Sequence, residues 1–146
     1  MKKLLCLFFL GLGAIGYGEC LDFYYVKRPV AYGTVFHEYI GVWNQSSEHS
    51  EAVGLLKGDE DRKVFDESIT TPASREGLVK ISFLGSACDE NAKRALSVAR
   101  KYAKDWDSFY ESTLLFYFRM GVTPLVGKPC RNVALEIADR LKEFLH

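Results

Sequence analysis

Little in this sequence is lopsided, and the absences narrow the field first. Its 19 Lys and Arg are matched by 19 Asp and Glu, so the chain lacks the cationic excess of a nucleic-acid binder, and no nucleic acid is expected as a partner. It has 4 prolines and no low-complexity tract, which excludes a linker-rich or disordered chain. No apolar run reaches the roughly 20 residues of a membrane-spanning helix. Three histidines, one of them the last residue, leave few ligands for a metal. His37-Glu38 and Glu48-His49-x-Glu51 read as surface pairs. "DEDRKVFDES" fails as a calcium loop, because it has no turn glycine and Thr70 stands where a bidentate Glu belongs. No P-loop, nucleophile elbow, zincin helix or haem-attachment motif is present, so neither a metal nor a cofactor is expected.

What the chain does have begins with a leader. Lys2 and Lys3 precede an uncharged apolar run from Leu4 to Ile15, and Ala14, Gly16 and Gly18 follow as small residues. That is the three-part pattern of a secretory signal peptide. Residues 1–18 are assigned to it, with cleavage after Gly16 or Gly18, and residues 19–146 to a single small domain that is periplasmic or extracellular. The alternative is a lipid anchor at Cys20, the one route to a membrane. It is disfavoured because Glu19 is large and charged where a lipobox wants a small residue.

The remainder reads as α+β. Residues 21–43 are rich in β-branched and aromatic residues around the turn "RPVAYG", which predicts strands near 21–27 and 34–43. Residues 77–84 predict a buried strand that ends at Gly85. In the segment after it, Ala92, Ala95, Leu96, Ala99, Tyr102, Ala103 and Trp106 recur at helical spacing and predict a helix over about 87–106. Ser86 and Asp89 have capping-box spacing at its start, as do Ser108 and Glu111 further on. The second pair, with Gly121 as a terminating residue, predicts a separate helix near 109–120; the alternative is a strand at 112–118 within a β-α-β-α unit. Pro129 opens a final helix to about residue 145, whose inward face is Val133, Ala134, Ile137, Ala138, Leu141, Phe144 and Leu145. Residues 44–76 are polar and charged and read as surface loop. So long a loop points to function, mobility or an element hidden from periodicity. Asn44-Gln45-Ser46 is a glycosylation sequon if the host is eukaryotic.

Cys6 leaves with the leader, and Cys20, Cys88 and Cys130 remain. In an oxidising compartment three cysteines give one bridge and one odd thiol. With helices starting at Cys88 and Cys130 and running up, down and up, or with the β-α-β-α layout, both cysteines fall at one end of the domain. A Cys88–Cys130 disulfide is therefore expected, leaving Cys20 as a free thiol able to link a dimer.

Lys93, Arg94, Arg100, Lys101 and Lys104 share the polar side of the first long helix. They form a candidate surface for an anionic polymer or an acidic protein partner, against which Asp59-Glu60-Asp61 could instead lie within the molecule. Two short stretches carry resemblances. "VKISFLGSAC" followed by a helix and "GVTPLVG" is similar in order to the strand, active-site cysteine and proline loop of thioredoxin-like proteins, although Asn91 stands where the second motif cysteine belongs. "ALSVARKYA" is similar to the helix of OmpA-like peptidoglycan-binding domains. Neither stretch assigns a residue role. With no catalytic motif in view, the expectation is an exported, disulfide-stapled binding protein rather than an enzyme. The alternative is a thiol-disulfide redox protein using Cys88 with Cys130 or Cys20.

Overall fold

A computed structural model of the chain describes residues 19–30, 35–55, 57–71, 79–121 and 127–146; the leader lies outside them. Four strands, β1 (Cys20–Val30), β2 (Val35–Asn44), β3 (His49–Val53) and β4 (Lys80–Cys88), form one antiparallel sheet in the order β3-β2-β1-β4. Three helices accompany it: α1 (Asp59–Thr70), α2 (Asp89–Arg119) and α3 (Gly127–Leu141). The α+β class and the paired N-terminal strands follow the sequence pattern.

Strand alternation sends side chains to two buried faces. On one, Leu21, Phe23, Ile40 and Val42 meet the α2 residues Ala92, Ala95, Leu96, Ala99 and Ala103 and the α3 residues Val133, Ile137 and Leu141. The predicted helix faces are thus the buried ones, and the run of alanines lets α2 approach the sheet closely. On the other face, Val26, Tyr39 and Ala52 cover Phe65 of α1. Gly41 is required there, since a Cβ at that position would run into the Phe65 ring.

The polar stretch 44–76 contains two elements that its charge conceals. β3 follows a turn in which the Asn44 side chain accepts from the N–H groups of Ser46 and Ser47 at 3.0 and 3.3 Å. With its amide also bonded to Glu19 at 3.0 Å, buried Asn44 is no glycosylation acceptor in the folded chain. Helix α1 places three acids, Asp59, Glu60 and Asp61, in its first turn, where the helix dipole favours them. It buries only Asp61, Val64, Phe65 and Ser68. Residues 72–76 of the stretch lie outside the described residues.

Three further expectations are corrected. β4 is an edge strand with Phe83 59% exposed, and it continues past Gly85 instead of ending there. A register shift between Phe23 and Tyr24 is taken up at Gly85, whose φ of 146° suits glycine; the C-terminal backbone at His146 also crosses where its Cβ would stand. Ser86 is not a helix cap, since its hydroxyl donates to Asp22 at 2.5 Å from within the strand. And 108–119 is neither a separate helix nor a strand. No Gly or Pro interrupts Asp89–Arg119, and the Ser108 hydroxyl bonds back to the Lys104 carbonyl at 3.1 Å rather than capping a new helix. The result is one 31-residue helix, about 46 Å long, and Gly121 follows it as anticipated.

That fusion overturns the expected disulfide. Two long helices make a hairpin, so α3 starts at the end opposite to the start of α2, and Cys88 and Cys130 are driven apart. The observed bridge joins Cys20 to Cys88, directly opposed across β1 and β4 with Cα atoms 4.0 Å apart. Cys130 is the free cysteine, and it is buried. The bonded sulfur of Cys20 is then neither a free thiol nor open to a lipid or an interchain link. The Cys88–Cys130 redox pair falls for the same reason.

Two measurements check this fold. Closing the 68-residue separation between Cys20 and Cys88 is worth about 4 kcal/mol in the chain-entropy account. Cys88→Ser should therefore lower the urea midpoint to the value wild-type protein shows in reductant. Gly41→Ala should cost about 2 kcal/mol by overpacking against Phe65, read in the same unfolding assay.

Candidate active site

β3 stops at Val53, opposite Ile40. Among the described residues, β2 from 35 to 39 has no strand on that side. Three pieces of chain converge on this open edge. The connection after β3 crosses it, with Gly54 close against Tyr39 and Leu55 fully buried. α1 begins there, and so does α3.

The anchor is Asp61, the third residue of α1 and 2% exposed. Its Oδ2 accepts the Gly58 N–H at 2.9 Å, the returning half of a capping box, and lies 3.1 Å from His37 Nε2. Its Oδ1 accepts from Arg28 Nε at 2.6 Å. Tyr39 donates its hydroxyl to the Asp61 carbonyl at 2.7 Å. Arg28 and His37 are direct partners in the β1–β2 register, so the sheet presents both side by side to the same carboxylate. Burial opposes the charge on Asp61, but the bonds from His37, Gly58 and Arg28 prevail and hold its pKa below the usual value.

His37 has a second partner. The Cys130 side chain is the other group that acts on its ring. Burial penalises the imidazolium, yet the bonds and charges of Asp61 and Cys130 outweigh it and raise the pKa of His37 from 6.5 to about 9. The ring is therefore protonated at neutral pH. Cys130, 4% exposed, sits in the first turn of α3, where the helix dipole favours negative charge. Its Sγ also lies 3.9 Å from the Leu55 carbonyl, to which it can donate. Cysteine, imidazole and carboxylate thus come together at one corner, with His37 bonded to Asp61 and under the influence of Cys130, the residue types of nucleophile, base and orienting group.

Of the residues singled out in the sequence, only Cys130 belongs to this corner. His37 is not on the surface as expected, and Glu38 beside it turns to the opposite face, where it accepts the Tyr25 hydroxyl at 3.1 Å. Among the described residues no group of three His, Cys, Asp or Glu is placed to hold a metal. The basic face of α2 lies elsewhere. Arg100 bonds Glu51 of β3 through Nε at 2.8 Å and Nη2 at 2.5 Å, and Lys93 bonds Glu90 at 3.2 Å. Arg94, Lys101 and Lys104 are exposed. Asp61 does not answer that face, since α1 covers the other side of the sheet. Cys20 and Cys88 sit eight positions along β1 from Arg28, about 26 Å away.

Compared with family models, curated proteins and solved structures, the chain finds no match in any of the three.

The titrations fix a pH window. A folded pKa of about 9 against 6.5 unfolded gives a contribution fully present below 6.5 that fades as pH rises and is gone above about 9. The depressed Asp61 acts oppositely, stabilising above its usual value of 3.8 and losing that as pH falls. Urea unfolding should thus show a loss of stability between about pH 6.5 and pH 9, and His37→Gln should flatten that limb.

Proposed function

We propose that the chain is an exported cysteine-dependent acyl hydrolase or transferase, with Cys130 as nucleophile, His37 as general acid and base, and Asp61 as the group that orients the imidazolium. The supporting observation is the meeting of Asp61, His37 and Cys130 at the first turn of a helix. A histidine that only braced α1 against the sheet would need no thiol acting on its ring. Catalysis replaces simple binding as the preferred reading because a thiol, an imidazole and a carboxylate meet at one corner, three groups with complementary chemical roles.

In the proposed reaction the Cys130 sulfur acts as thiolate and His37 as its imidazolium partner. The sulfur attacks the carbonyl carbon of an ester, thioester or amide, forming a C–S bond while the carbonyl electron pair moves to oxygen. The positive end of α3 lies next to that oxyanion. Collapse breaks the bond to the leaving group, which takes the His37 proton and departs, leaving a thioester. Neutral His37 then accepts a proton from water or another acceptor nucleophile as it attacks; the C–S bond breaks, and the thiolate–imidazolium pair is restored. Asp61, held on three sides, keeps Nε2 occupied so that Nδ1 faces the chemistry throughout.

Export is supported by the leader pattern of residues 1–18, the Cys20–Cys88 bridge and the lack of any described helix long and apolar enough to cross a membrane.

The test uses residues 19–146 with small activated esters as probes. Intact mass should show one acyl group on Cys130, lost in Cys130→Ala. His37→Gln should lower turnover by about 10²- to 10⁴-fold. Equal turnover and labelling in wild type and Cys130→Ala would end the proposal.

A further inference from the structure

We infer that Arg28 is a positioning residue of the thiol site: by binding Asp61 Oδ1 it fixes the carboxylate so that Oδ2 meets His37, and its charge sets how tightly the imidazolium holds its proton. The inference rests on the Cys130–His37–Asp61 reading. It adds a fourth group, one that touches neither substrate nor sulfur, and assigns it control of the pH range over which the site works.

The geometry carries it. Arg28 is locked in register with His37 across β1 and β2, so both side chains leave the same face of the sheet at neighbouring points. Its Nε meets Oδ1 at 2.6 Å, with the arginine side chain 18% and the aspartate 3% exposed. His37 takes the other oxygen at 3.1 Å with 11% of its side chain exposed. Without Arg28, Oδ2 would keep the Gly58 N–H and His37, but Oδ1 would lose its bond and the carboxylate could tilt about Oδ2. Bound at both oxygens from adjacent strands it cannot, and the ring it orients inherits that restriction.

The charges run in alternation. Arg28 from β1 faces Asp61 from α1, Asp61 faces His37 from β2, and His37 faces Cys130 from α3. Arg28 shares the Asp61 carboxylate with the imidazolium and draws on its charge, which makes His37 easier to deprotonate than it would be with Asp61 and Cys130 alone. Arginine suits the role better than lysine, because its planar group holds a fixed angle to the carboxylate.

The experiment follows the His37 ring protons by NMR titration in residues 19–146, and measures kcat and KM on a small activated ester, for wild type, Arg28→Met and Arg28→Lys. In Arg28→Met the His37 midpoint should rise by about one pH unit, as expected for loss of a like charge at this range in a partly screened site. Its kcat should fall about tenfold or more from misorientation, with KM within about twofold because Arg28 does not touch substrate. Arg28→Lys should return the midpoint to the wild-type value and restore only part of kcat. If Arg28→Met does not fold, Arg28→Gln, which keeps an N–H donor without the charge, supplies the same titration. An unmoved His37 midpoint in a folded uncharged variant overturns the inference, as does a loss confined to KM. The titration reads Arg28 whether or not the ester is turned over. Absence of turnover in wild type would therefore sink the acyl-transfer reading separately.

Discussion

The part of the molecule that everything else leans on is one buried carboxylate. Asp61 is 2% exposed and charged, a costly state unless the charge is fully answered. It is answered from three directions: a backbone N–H in its own helix turn, an arginine on β1 and a histidine on β2. Those bonds tie α1 to the middle of the sheet and dictate where the imidazole points. The same acid therefore starts a helix, locks that helix to two strands and aims the ring that meets Cys130. Removing it would leave the Arg28 guanidinium with no anion to answer it and take from His37 the partner that favours its proton. That explains why the fold and the chemistry of this corner cannot be varied separately.

The open edge of β2 is the second constraint. A strand left without a neighbour must cover its exposed backbone groups in some other way. Here the β3–α1 connection and the starts of two helices do so. Helix starts carry partial positive charge, and two of them at one edge make it a favourable place for the Asp61 carboxylate. The shortness of β3, which ends five residues short of the far end of β2 in the register, is what allows Asp61 and Cys130 to approach His37 from different layers. A longer β3 would close the edge and leave the ring with strand neighbours only.

Much of the scaffold was legible because it is amphipathic. The alanine-rich face of α2 and the inward face of α3 have helical spacing, and β1 and β2 are dense in residues that favour strands. What stayed hidden has particular causes. α1 buries four residues of twelve, one of them an acid, so its pattern reads as charged loop. The fused α2 carries a capping-box spacing at Ser108 and Glu111, yet the Ser108 hydroxyl bonds back to Lys104 within the helix. Taking that spacing as a break turned a helical hairpin into three helices, and the number of reversals decides whether Cys88 and Cys130 share an end. The site was invisible for a different reason. His37, Asp61 and Cys130 come from a strand, a helix start and another helix start, and no local motif joins them. The available clue was an odd cysteine at a helix start together with a histidine inside an otherwise apolar strand.

The odd cysteine poses a question of pairing: with three cysteines in the described residues, one bridge forms and one sulfur is left over. Cys130 is 4% exposed, lies at the Leu55 carbonyl and sits on a helix rather than on either of the two strands that carry Cys20 and Cys88. The bridge lies at the other end of β1, about 26 Å along the strand, beyond any direct encounter. Cys20 and Cys88 face each other across neighbouring strands, so sheet formation brings together the two sulfurs that should pair and removes the third. Strand register, rather than any difference in the cysteines themselves, decides which two sulfurs pair and which stays unbridged.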